Sequence, residues 1–372
     1  MRYPTLFLVV GLSLLLAACS FSASTPATSP APKADFAGLH ADWNTIEPTG
    51  DTLCSDGSAY KFYVRQGDPE KLMFYLEGGG ACWTGALCDA DLQATYTVNL
   101  QRSDPARFSG VFDFERADNP FADYTVIMAP YCSGDVHLGD ISKFYQSPSV
   151  GDHSGHALRI EHRGYNNAQA ALRWVYEHLF QPETVFVTGS SAGSIPSPFY
   201  AVELARHYPQ SRIVQLGDAS GGYNTMASFT PYESWNLDTV LNRTGLLAGV
   251  VQEEFNFQLL YEAAAKASAG ISFASYDTAE DAVQKQFLAL GGSPVESLQT
   301  QLDDNLRVIS SAVPKFRYFV AGGSVHTVLL SPNFYKYKVG ETLLMDWIGR
   351  LARGESVQNQ HCVDCTIAEI VN

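Results

Sequence analysis

The sequence is short of basic residues: 24 Lys and Arg stand against 39 Asp and Glu in 372 residues, a formal net charge of −15. Charged residues of both signs make up only 17% of the chain, whereas hydrophobic residues make up 46%. This apolar content excludes an intrinsically disordered chain and indicates a globular protein. The negative charge argues against a nucleic-acid-binding protein and against adsorption to anionic lipid surfaces, because both partners would repel it.

Long apolar runs are also missing, apart from one at the N-terminus. Arg2 precedes the run Leu6 to Leu16, which is too short for a membrane-spanning helix and is typical of a secretory signal peptide. The run ends in LAAC (16–19), which resembles the bacterial lipoprotein signal, where cleavage leaves a lipid-modified cysteine as the first residue. The alternative is an ordinary secretory signal with an unrelated cysteine. We expect an exported lipoprotein, anchored through Cys19 to a membrane and facing the periplasm or the exterior.

The chain beyond this signal divides into a tether and one domain. Residues 20–33 are rich in Ser, Thr, Ala and Pro and cannot bury a core. We therefore predict a signal peptide over 1–18 and a lipidated cysteine with a flexible tether over 19–35. No repeat or further domain boundary is visible, and residues 36–372 have the length of a single large domain.

Cysteines are few, and six of the seven remain once Cys19 is set aside. An even number in an exported chain predicts three disulfides. By their spacing, the predicted pairs are Cys82 with Cys88, Cys362 with Cys365, and Cys54 with Cys132. The alternative for Cys362 and Cys365 is half of a zinc site or a redox pair. No second cysteine pair is free to complete a zinc site, and redox motifs normally open a helix, so we favour a disulfide.

Short hydrophobic runs alternate with helical patterns along the domain. The predicted strands are KLMFYLEGGG, YTVIMAPY, TVFVTG, RIVQLGD, ISFASYD and FRYFVAGG. Helices are predicted over 166–180, over PSPFYAVELARHYP and over 341–351. Strands separated by helices predict an α/β fold with a mostly parallel sheet. The stretches 91–118 and 224–266 are predicted to be insertions beside a cleft.

One strand end carries a candidate nucleophile. Ligands bind outside the carboxyl ends of the strands in an open parallel sheet, so residues there are candidate site residues. The strand TVFVTG ends in GSSAG (189–193), which fits the pattern G-x-S-x-G only with Ser191 at its centre. The glycines permit a tight turn that leaves the serine hydroxyl projecting, with the N-terminal amides of the next helix aimed at the same place. Ser190 lacks the flanking pattern and is the weaker candidate.

Small residues after the first strand supply candidate oxyanion donors. The stretch YLEGGGACW brings backbone N–H groups close to a ligand with no side chain between them. A glycine-rich turn is the alternative when this stretch is taken alone. Together with the amide of Ala192, the amides of Gly79 and Gly80 are predicted to hold a tetrahedral oxyanion.

The base and the acid should follow the nucleophile in the order serine, acid, histidine. His326 comes after the last strand and two glycines, and it is the predicted base. Asp277 and Asp218 both end strands before His326, and either can fix the imidazole tautomer. Spacing favours Asp277 only slightly, and Asp218 is the candidate for supporting the turn or touching substrate. Three other histidines lie in loops that could line the cleft: His137, His153 and His156.

Several motifs together resemble the pectin acetylesterase and Notum carboxylesterase family. LEGGGAC continuing to a second cysteine, then YCSGD, HRGYNNAQAAL and GSSAG, occur in the order found in that family, and the resemblance extends from about Leu53 to the C-terminal cysteines. It implies a secreted esterase with an α/β-hydrolase-like, mostly parallel sheet and helices on both faces. It also supports the Cys82–Cys88 pair. The site residues that it implies are the nucleophile Ser191, the acid Asp277, the base His326 and the oxyanion donors Gly79, Gly80 and Ala192.

Two positions depart from the family pattern. Ala81 stands where the family often has an aromatic residue, and Ser194 stands where it often has glycine. We expect both to alter the wall of the pocket, so the substrate is not carried over from the family.

These features predict a serine carboxylic-ester hydrolase that removes acetyl or other acyl groups from a glycan or a similar extracellular ester through an acyl-enzyme. The net charge opposes binding of polygalacturonate unless a basic patch lines the cleft, so a neutral acetylated glycan or a small or lipid acyl ester fits as well. The alternative is a non-catalytic, lipid-anchored sugar- or peptide-binding protein. It leaves the ordered Ser, Asp and His unexplained. The motifs H-E-x-x-H, P-loop and dinucleotide fingerprint are missing, so no metal or cofactor is expected.

Overall fold

A nine-stranded sheet forms the centre of the protein in a computed structural model that describes Met1 and residues 33–223, 231–246 and 255–371. The predicted signal peptide, Cys19 and most of the predicted tether lie outside these residues, as do parts of the stretch 224–266. From Lys33 onward the chain forms one unit. Among the described residues, no helix has the length and apolar character needed to cross a bilayer.

The strands are numbered in chain order. They are β1 (Asn44–Ile46), β2 (Phe62–Arg65), β3 (Asp68–Leu76), β4 (Tyr124–Ala129), β5 (Ile141–Gln146), β6 (Ala157–His162), β7 (Thr184–Ser190), β8 (Arg212–Asp218), β9 (Ser272–Thr278), β10 (Phe316–Ala321), β11 (Tyr337–Val339), β12 (Thr342–Leu343), β13 (Gln360–His361) and β14 (Glu369–Ile370). The six predicted strands correspond to β3, β4, β7, β8, β9 and β10. The prediction omitted the shorter edge strands and the β5–β6 hairpin.

The helices of the described residues are numbered in the same way. They are α1 (Gly85–Cys88), α2 (Gly164–His178), α3 (Ser197–His207), α4 (Pro231–Ser234), α5 (Leu237–Thr244), α6 (Phe257–Ala267), α7 (Ala282–Leu290), α8 (Leu298–Ala312) and α9 (Leu344–Ala352). Short 3₁₀ turns occur in the predicted insertion 91–118 and directly after β7. The predicted helices correspond to α2, α3 and α9, and α3 ends at His207, two residues before Pro209, which cannot continue a helix.

The main sheet has the order β1-β2-β4-β3-β7-β8-β9-β10-β13. From β4 to β13 each strand runs parallel to its neighbour, and only β1 and β2 are antiparallel. This confirms the predicted mostly parallel sheet. Because parallel strands end at the same edge, the segments after β3, β7, β8, β9 and β10 meet there.

Both faces of the sheet are buried, which explains why its central strands are hydrophobic throughout rather than alternating. In β7, Val185 and Val187 belong to the core on one face, where α2, α3, α6 and α8 pack, whereas Phe186 points into the core on the other face. That second core includes Trp347 and Ile348 of α9. The sheet therefore lies between two buried layers, and it supports the described segments at its carboxyl edge.

Three disulfides join Cys54 to Cys132, Cys82 to Cys88, and Cys362 to Cys365, as predicted. The first links residues 78 positions apart and attaches the loop before β2 to the loop after β4. The second closes the segment containing α1. The third closes a turn near the C-terminus, and oxidation of this pair leaves no thiolate there for a zinc ion.

The folded unit begins slightly earlier than the predicted domain boundary at residue 36. Asp35 N donates to the carbonyl of His178, and Phe180 N donates to the carbonyl of Lys33, both at the end of α2. The last residues of the predicted tether are thus part of the fold.

Candidate active site

The turn after β7 holds Ser191 in a backbone conformation that side-chain-bearing residues rarely adopt. Its φ is 54°, in the left-handed region. A Cβ at Gly189 would lie 2.4 Å from the carbonyl oxygen of Gly193, and one at Gly193 would lie 2.1 Å from that of Leu76, so neither position accepts a larger residue. Such local strain persists only where the surrounding structure imposes it, and it is typical of functional sites. The two glycines of GSSAG therefore have the structural role that the sequence predicted.

The helix after the turn begins later than expected. A 3₁₀ turn (Ser191–Gly193) intervenes, and α3 starts only at Ser197. Ser194 N bonds back to the carbonyl of Ser191 at 2.9 Å. The residues that directly follow Ser191, among them Ala192, thus belong to this 3₁₀ turn and not to the first turn of α3.

The loop after β10 places an imidazole against this serine. His326 Nε2 lies 2.7 Å from Ser191 Oγ, a hydrogen-bond distance, and the His326 side chain is 18% exposed. Thr278 Oγ1 donates to the carbonyl of Val325 at 2.7 Å and so fixes the loop next to the histidine. The structure brings together Ser191 and His326, as the sequence predicted.

The carboxylate that contacts His326 is Asp281, and the prediction of Asp277 is corrected. Asp281 Oδ2 lies 2.6 Å from His326 Nδ1. The other oxygen of this carboxylate accepts from the backbone N–H groups of Val283 and Gln284, at 2.9 and 3.0 Å, which makes Asp281 the N-cap of α7. Asp277 lies within β9, paired with Val320 of β10, and its carboxylate bonds to Gly221 and Gln284 instead of His326.

Asp277 has a different, fully buried environment. Its Oδ1 accepts from Gly221 N at 2.8 Å and from Gln284 Nε2 at 3.1 Å. The same Gln284 amide group donates to Asp281 Oδ2 at 3.0 Å, so it bridges the two carboxylates. Asp277 Oδ2 has no hydrogen-bond partner among the described residues. Burial, together with the nearby charges of Asp281 and Asp218, raises the pKa of Asp277 to about 7, against the lowering effect of these hydrogen bonds.

Asp218 supports the turn and the histidine loop. Its Oδ2 accepts from Ser190 Oγ at 2.6 Å and from Leu329 N at 3.0 Å, and Val328 N lies 3.2 Å from both carboxylate oxygens. Ser190 Oγ is in turn 2.6 Å from the hydroxyl of Tyr75. Burial raises the pKa of Asp218 to about 6. Asp218 therefore has the supporting role that the sequence left open, and Ser190 faces this network rather than His326.

A cleft of about 450 Å³ opens beside Ser191 and His326. Its described lining includes the glycine run after β3 and six larger residues with mainly apolar surfaces: Tyr75, Phe108, Val283, Phe287, Thr327 and Leu330. Thr95 and Phe108 come from the predicted insertion 91–118, which confirms that this insertion walls the cleft. Glu77 supplies the one carboxylate in the described lining, and burial raises its pKa to about 7.

Packing behind the cleft explains the glycines after β3. A Cβ at Gly79 would lie 2.7 Å from the ring of Tyr131, and one at Gly80 would lie 2.0 Å from the carbonyl oxygen of Thr95. Gly80 also has a φ of 79°, which favours glycine. Both residues line the cleft, as Ser191 does. Ala192, the residue after Ser191, is buried.

The two departures from the family pattern lie elsewhere than expected. Ala81 and Ser194 are both buried, and neither lines the cleft within the part of the chain that the structure describes. The carbonyl of Ala81 accepts from Thr95 Oγ1 at 2.6 Å, and Ser194 Oγ contacts Ser220 Oγ. Neither side chain forms part of the described pocket wall, so the expectation that these two residues alter that wall directly is wrong.

The other loop histidines are not part of this site. His137 is buried and its Nε2 lies 2.8 Å from the carbonyl oxygen of Glu77, so it supports the glycine run from behind. Burial lowers the pKa of His137 to about 4. His153 and His156 lie at the tip of the β5–β6 hairpin, outside the described lining of the cleft.

One sequence signal could have identified Asp281. The stretch Asp281-Ala-Val-Gln284 has an acidic N-cap residue and a glutamine three positions later, at the start of an apolar helical pattern. This pattern places Asp281 at a strand-to-helix junction on the carboxyl edge of the sheet. A side chain at such a junction points along the edge, where the histidine loop also lies.

Comparison with known proteins agrees with this architecture. The profile of the pectinacetylesterase family matches residues 39–242, which is 204 of the 372 residues. The chain belongs to the pectinacetylesterase family. The α/β-hydrolase-like fold implied by the family resemblance is therefore confirmed. The matched range includes Ser191 and the glycine run after β3, and it ends before Asp277, Asp281 and His326.

Curated relatives of the chain come from two groups of esterases. Palmitoleoyl-protein carboxylesterase notum2 of Xenopus laevis is 26% identical over 160 residues, covering 42% of this chain and 29% of the relative. Pectin acetylesterase 4 of Arabidopsis thaliana is 24% identical over 228 residues, covering 58% of this chain and 52% of the relative. Pectin acetylesterase 5 of the same plant is 24% identical over 176 residues, covering 46% and 39%. The chain thus spans about half or less of the length of these relatives.

The buried Asp277 carboxyl should make stability depend on pH. In the unfolded chain its pKa is about 3.9, so between about pH 4 and pH 7 the folded state holds a proton that the unfolded state has lost. Stability should therefore fall as the pH rises through this range. We expect Asp277→Asn to lose less unfolding free energy than the wild type between pH 5 and pH 8, by on the order of 1–3 kcal/mol, in urea titrations.

The matched control is Asp152→Asn, at an exposed aspartate. It should leave the pH dependence of the wild type unchanged. An Asp277→Asn variant with the same slope against pH as the wild type would show that this carboxyl titrates normally in the folded protein.

Proposed function

We propose that the protein is a serine carboxylic-ester hydrolase. The observation that carries this proposal is the line of hydrogen bonds from Asp281 through His326 to Ser191, at 2.6 and 2.7 Å, at the mouth of a cleft. The strained backbone at Ser191 and the membership of the pectinacetylesterase family support it.

Each group of this line has one role in the proposed reaction. Ser191 Oγ attacks the carbonyl carbon of the ester while His326 Nε2 takes the hydroxyl proton. The imidazolium passes that proton to the departing alcohol oxygen as the bond from the acyl carbon to that oxygen breaks, which leaves an acyl-enzyme. Water then attacks the acyl carbon, again with His326 as base, and releases the acid. Asp281 keeps the Nδ1 proton of His326 in place and stabilises the charged ring.

The oxyanion of the tetrahedral intermediate would be held by backbone amides. We assign this role to Gly79, Gly80 and Ala192, because the first two line the cleft next to Ser191 and the third follows it directly in the 3₁₀ turn. Preorganised N–H donors of this kind stabilise the charge that develops on the carbonyl oxygen. The glycines leave no side chain between these amides and the substrate.

The cleft favours an acyl ester on a neutral alcohol. Its described lining holds one carboxylate and no Lys or Arg, and the segments 224–230 and 247–254, outside the described residues, also contain neither in their sequence. With a net charge of −15 on the chain, an anionic glycan meets repulsion at long range, and no basic side chain in the described lining offsets it. We therefore propose acetyl or other acyl groups on a neutral extracellular glycan, or a similar small ester, as substrates.

We also propose that the protein is exported and held at a membrane by a lipid on Cys19. The LAAC stretch supports this, and the three disulfides suit an oxidising compartment outside the cytoplasm. The anchor would keep the hydrolase on the cell while its cleft faces extracellular or periplasmic esters.

Substitutions within the hydrogen-bonded line should abolish turnover of p-nitrophenyl acetate. We expect Ser191→Ala and Asp281→Asn each to lower kcat by roughly 10³–10⁴-fold, because the first removes the nucleophile and the second disturbs the tautomer of His326. Asparagine can still cap α7, so Asp281→Asn should fold.

The matched control is Asp277→Asn, the same substitution four residues earlier in an equally buried position. It should keep kcat within about threefold of the wild type, since Asp277 does not contact His326. Equal rates in wild type and Ser191→Ala would instead favour a non-catalytic binding protein. Loss of activity in Asp277→Asn alone would return the role of the acid to Asp277.

Charge should discriminate between polymeric substrates. At about 0.01 M salt, we expect acetylated xylan to be deacetylated several-fold faster than acetylated polygalacturonate, because the Debye length is then about 30 Å. The difference should narrow at about 0.15 M, where this length is about 8 Å. Acetate release measured at both salt concentrations checks this. A preference for polygalacturonate, or a difference that salt leaves unchanged, would contradict the proposed electrostatic origin.

Lipidation should be visible in the intact mass of the protein extracted from membranes. We expect loss of residues 1–18 and a mass increase on Cys19 from its lipid. Cys19→Ser should move the protein to the soluble fraction with unchanged hydrolysis of p-nitrophenyl acetate. An unmodified Cys19 on the extracted protein would support the ordinary secretory signal instead.

A further inference from the structure

Two imidazoles and a buried carboxylate meet outside the cleft. Asp89 follows α1 and is 4% exposed, whereas His153 and His156 lie at the tip of the β5–β6 hairpin. One nitrogen of each ring and one oxygen of Asp89 all lie within 4.8 Å of one another. The proposed hydrolysis uses none of these three residues. Asp89 Oδ1 accepts from Asp91 N at 2.9 Å and so caps the 3₁₀ turn that follows, whereas Oδ2 faces the two imidazoles.

The individual distances define the cluster. His153 Nε2 lies 3.2 Å from Asp89 Oδ2, and His156 Nε2 lies 4.0 Å from the same oxygen. Ser147 Oγ donates to Asp89 Oδ2 and is 3.1 Å from His153 Nε2. His156 Nδ1 lies 3.4 Å from the carbonyl of Ser154; in the tautomer that donates to this carbonyl, Nε2 has a free lone pair on the side of Asp89.

We propose that Asp89, His153 and His156 form a structural binding site for a divalent transition-metal ion of the zinc type. Neutral imidazole nitrogen and carboxylate oxygen are the ligands that such ions take in proteins, at about 2.0–2.2 Å. In a tetrahedral site with these bonds, neighbouring ligand atoms lie roughly 3.3–3.5 Å apart. The spacing of Asp89 and His153 is already close to this, whereas His156 Nε2, at 4.0 Å from the carboxylate oxygen, has to move closer.

The surroundings suit a metal site rather than a simple ion pair. The Ser147 hydroxyl orients the Asp89 carboxylate, as hydrogen bonds around metal ligands commonly do. The His156 side chain is 47% exposed, so it can move the short distance required, and water can fill the remaining coordination position. An ion pair with Asp89 also requires only one histidine, whereas two histidines face the same carboxylate oxygen here.

The two other groups of possible ligands in the described residues are already committed. One combines Cys82 and Cys88 with His162, and the other combines Cys362 and Cys365 with His361. Both cysteine pairs are disulfides, so neither group offers thiolates to a metal. Under oxidising conditions the Asp89 cluster is therefore the favoured site.

A metal here would link two separate parts of the chain. Asp89 directly follows Cys88 at the end of the disulfide-closed segment, and the Ser147–Asp89 hydrogen bond already joins the β5–β6 hairpin to that segment. An ion that binds the folded but not the unfolded chain stabilises the fold in proportion to the logarithm of its concentration over its Kd. No metal motif marks this cluster in the chain, because the ligands are 64 and 3 positions apart and no helix presents them.

The test is zinc binding to the full chain, stripped with EDTA and kept without reductant. We expect isothermal titration with Zn²⁺ to give one saturable site per chain and thermal unfolding to shift upward with Zn²⁺. Co²⁺ should produce a visible d–d absorption band. His156→Asn, at the exposed ligand, should weaken Zn²⁺ binding by at least tenfold and remove the Co²⁺ band.

The matched control is His40→Asn, at an exposed histidine outside the cluster, which should bind Zn²⁺ as the wild type does. Hydrolysis of p-nitrophenyl acetate by His156→Asn should equal that of the wild type, so failure of the metal site and failure of the proposed hydrolase are distinguishable. Zinc binding that is absent, or that His156→Asn leaves unchanged, overturns the proposal and shows that the three side chains form a hydrogen-bonded cluster only.

Discussion

The two hydrogen bonds of the His326 imidazole connect the fold to the proposed chemistry. Nδ1 faces Asp281 at 2.6 Å and Nε2 faces Ser191 at 2.7 Å, so the ring is held at both nitrogens. Asp281 is itself held, because one of its oxygens caps α7 while the other meets the histidine. The base is thus oriented by a carboxylate whose position the start of a helix determines, and no flexible side chain intervenes.

The parallel sheet makes this arrangement possible. Asp218 ends β8, and the segments after β7, β9 and β10 contain Ser191, Asp281 and His326; these four strands are consecutive neighbours in the sheet. Residues separated by up to 135 positions therefore come within a few ångström of each other. Three carboxyls at this edge are buried and have raised pKa values: Glu77, Asp218 and Asp277. Their burial favours the neutral form of each carboxyl. The free energy of unfolding therefore falls as the pH rises and these carboxyls lose their protons.

The sequence predicted the parts of the site that local patterns encode. The G-x-S-x-G turn identified Ser191 because the glycines and the preceding β-branched run are adjacent to it in the chain, and His326 followed from its place after the last strand. The acid could not be fixed in the same way. Asp277 and Asp281 are four residues apart, and which of them reaches the imidazole depends on where β9 ends and α7 begins, a boundary that hydrophobic periodicity does not locate. The family resemblance led to Asp277, while the capping pattern of Asp281 and Gln284 was the better guide.

Short or polar elements were also not predicted from the sequence. The edge strands, the β5–β6 hairpin and the Asp89 cluster depend on contacts between distant segments, and no periodic pattern marks them. The expectation that Ala81 and Ser194 alter the pocket wall failed because position in the chain does not show which way a side chain points. Ala81 follows the glycine run after β3 and Ser194 follows the G-x-S-x-G turn, but both are buried.

The most direct test of the central claim is covalent capture of the nucleophile. A fluorophosphonate reacts with a serine only when a neighbouring base activates it, so intact mass and peptide mapping report the activated residue. The account predicts one adduct per chain, on Ser191, and its loss in His326→Ala. An adduct on any other residue, or labelling of Ser191 that His326→Ala leaves unchanged, would contradict it.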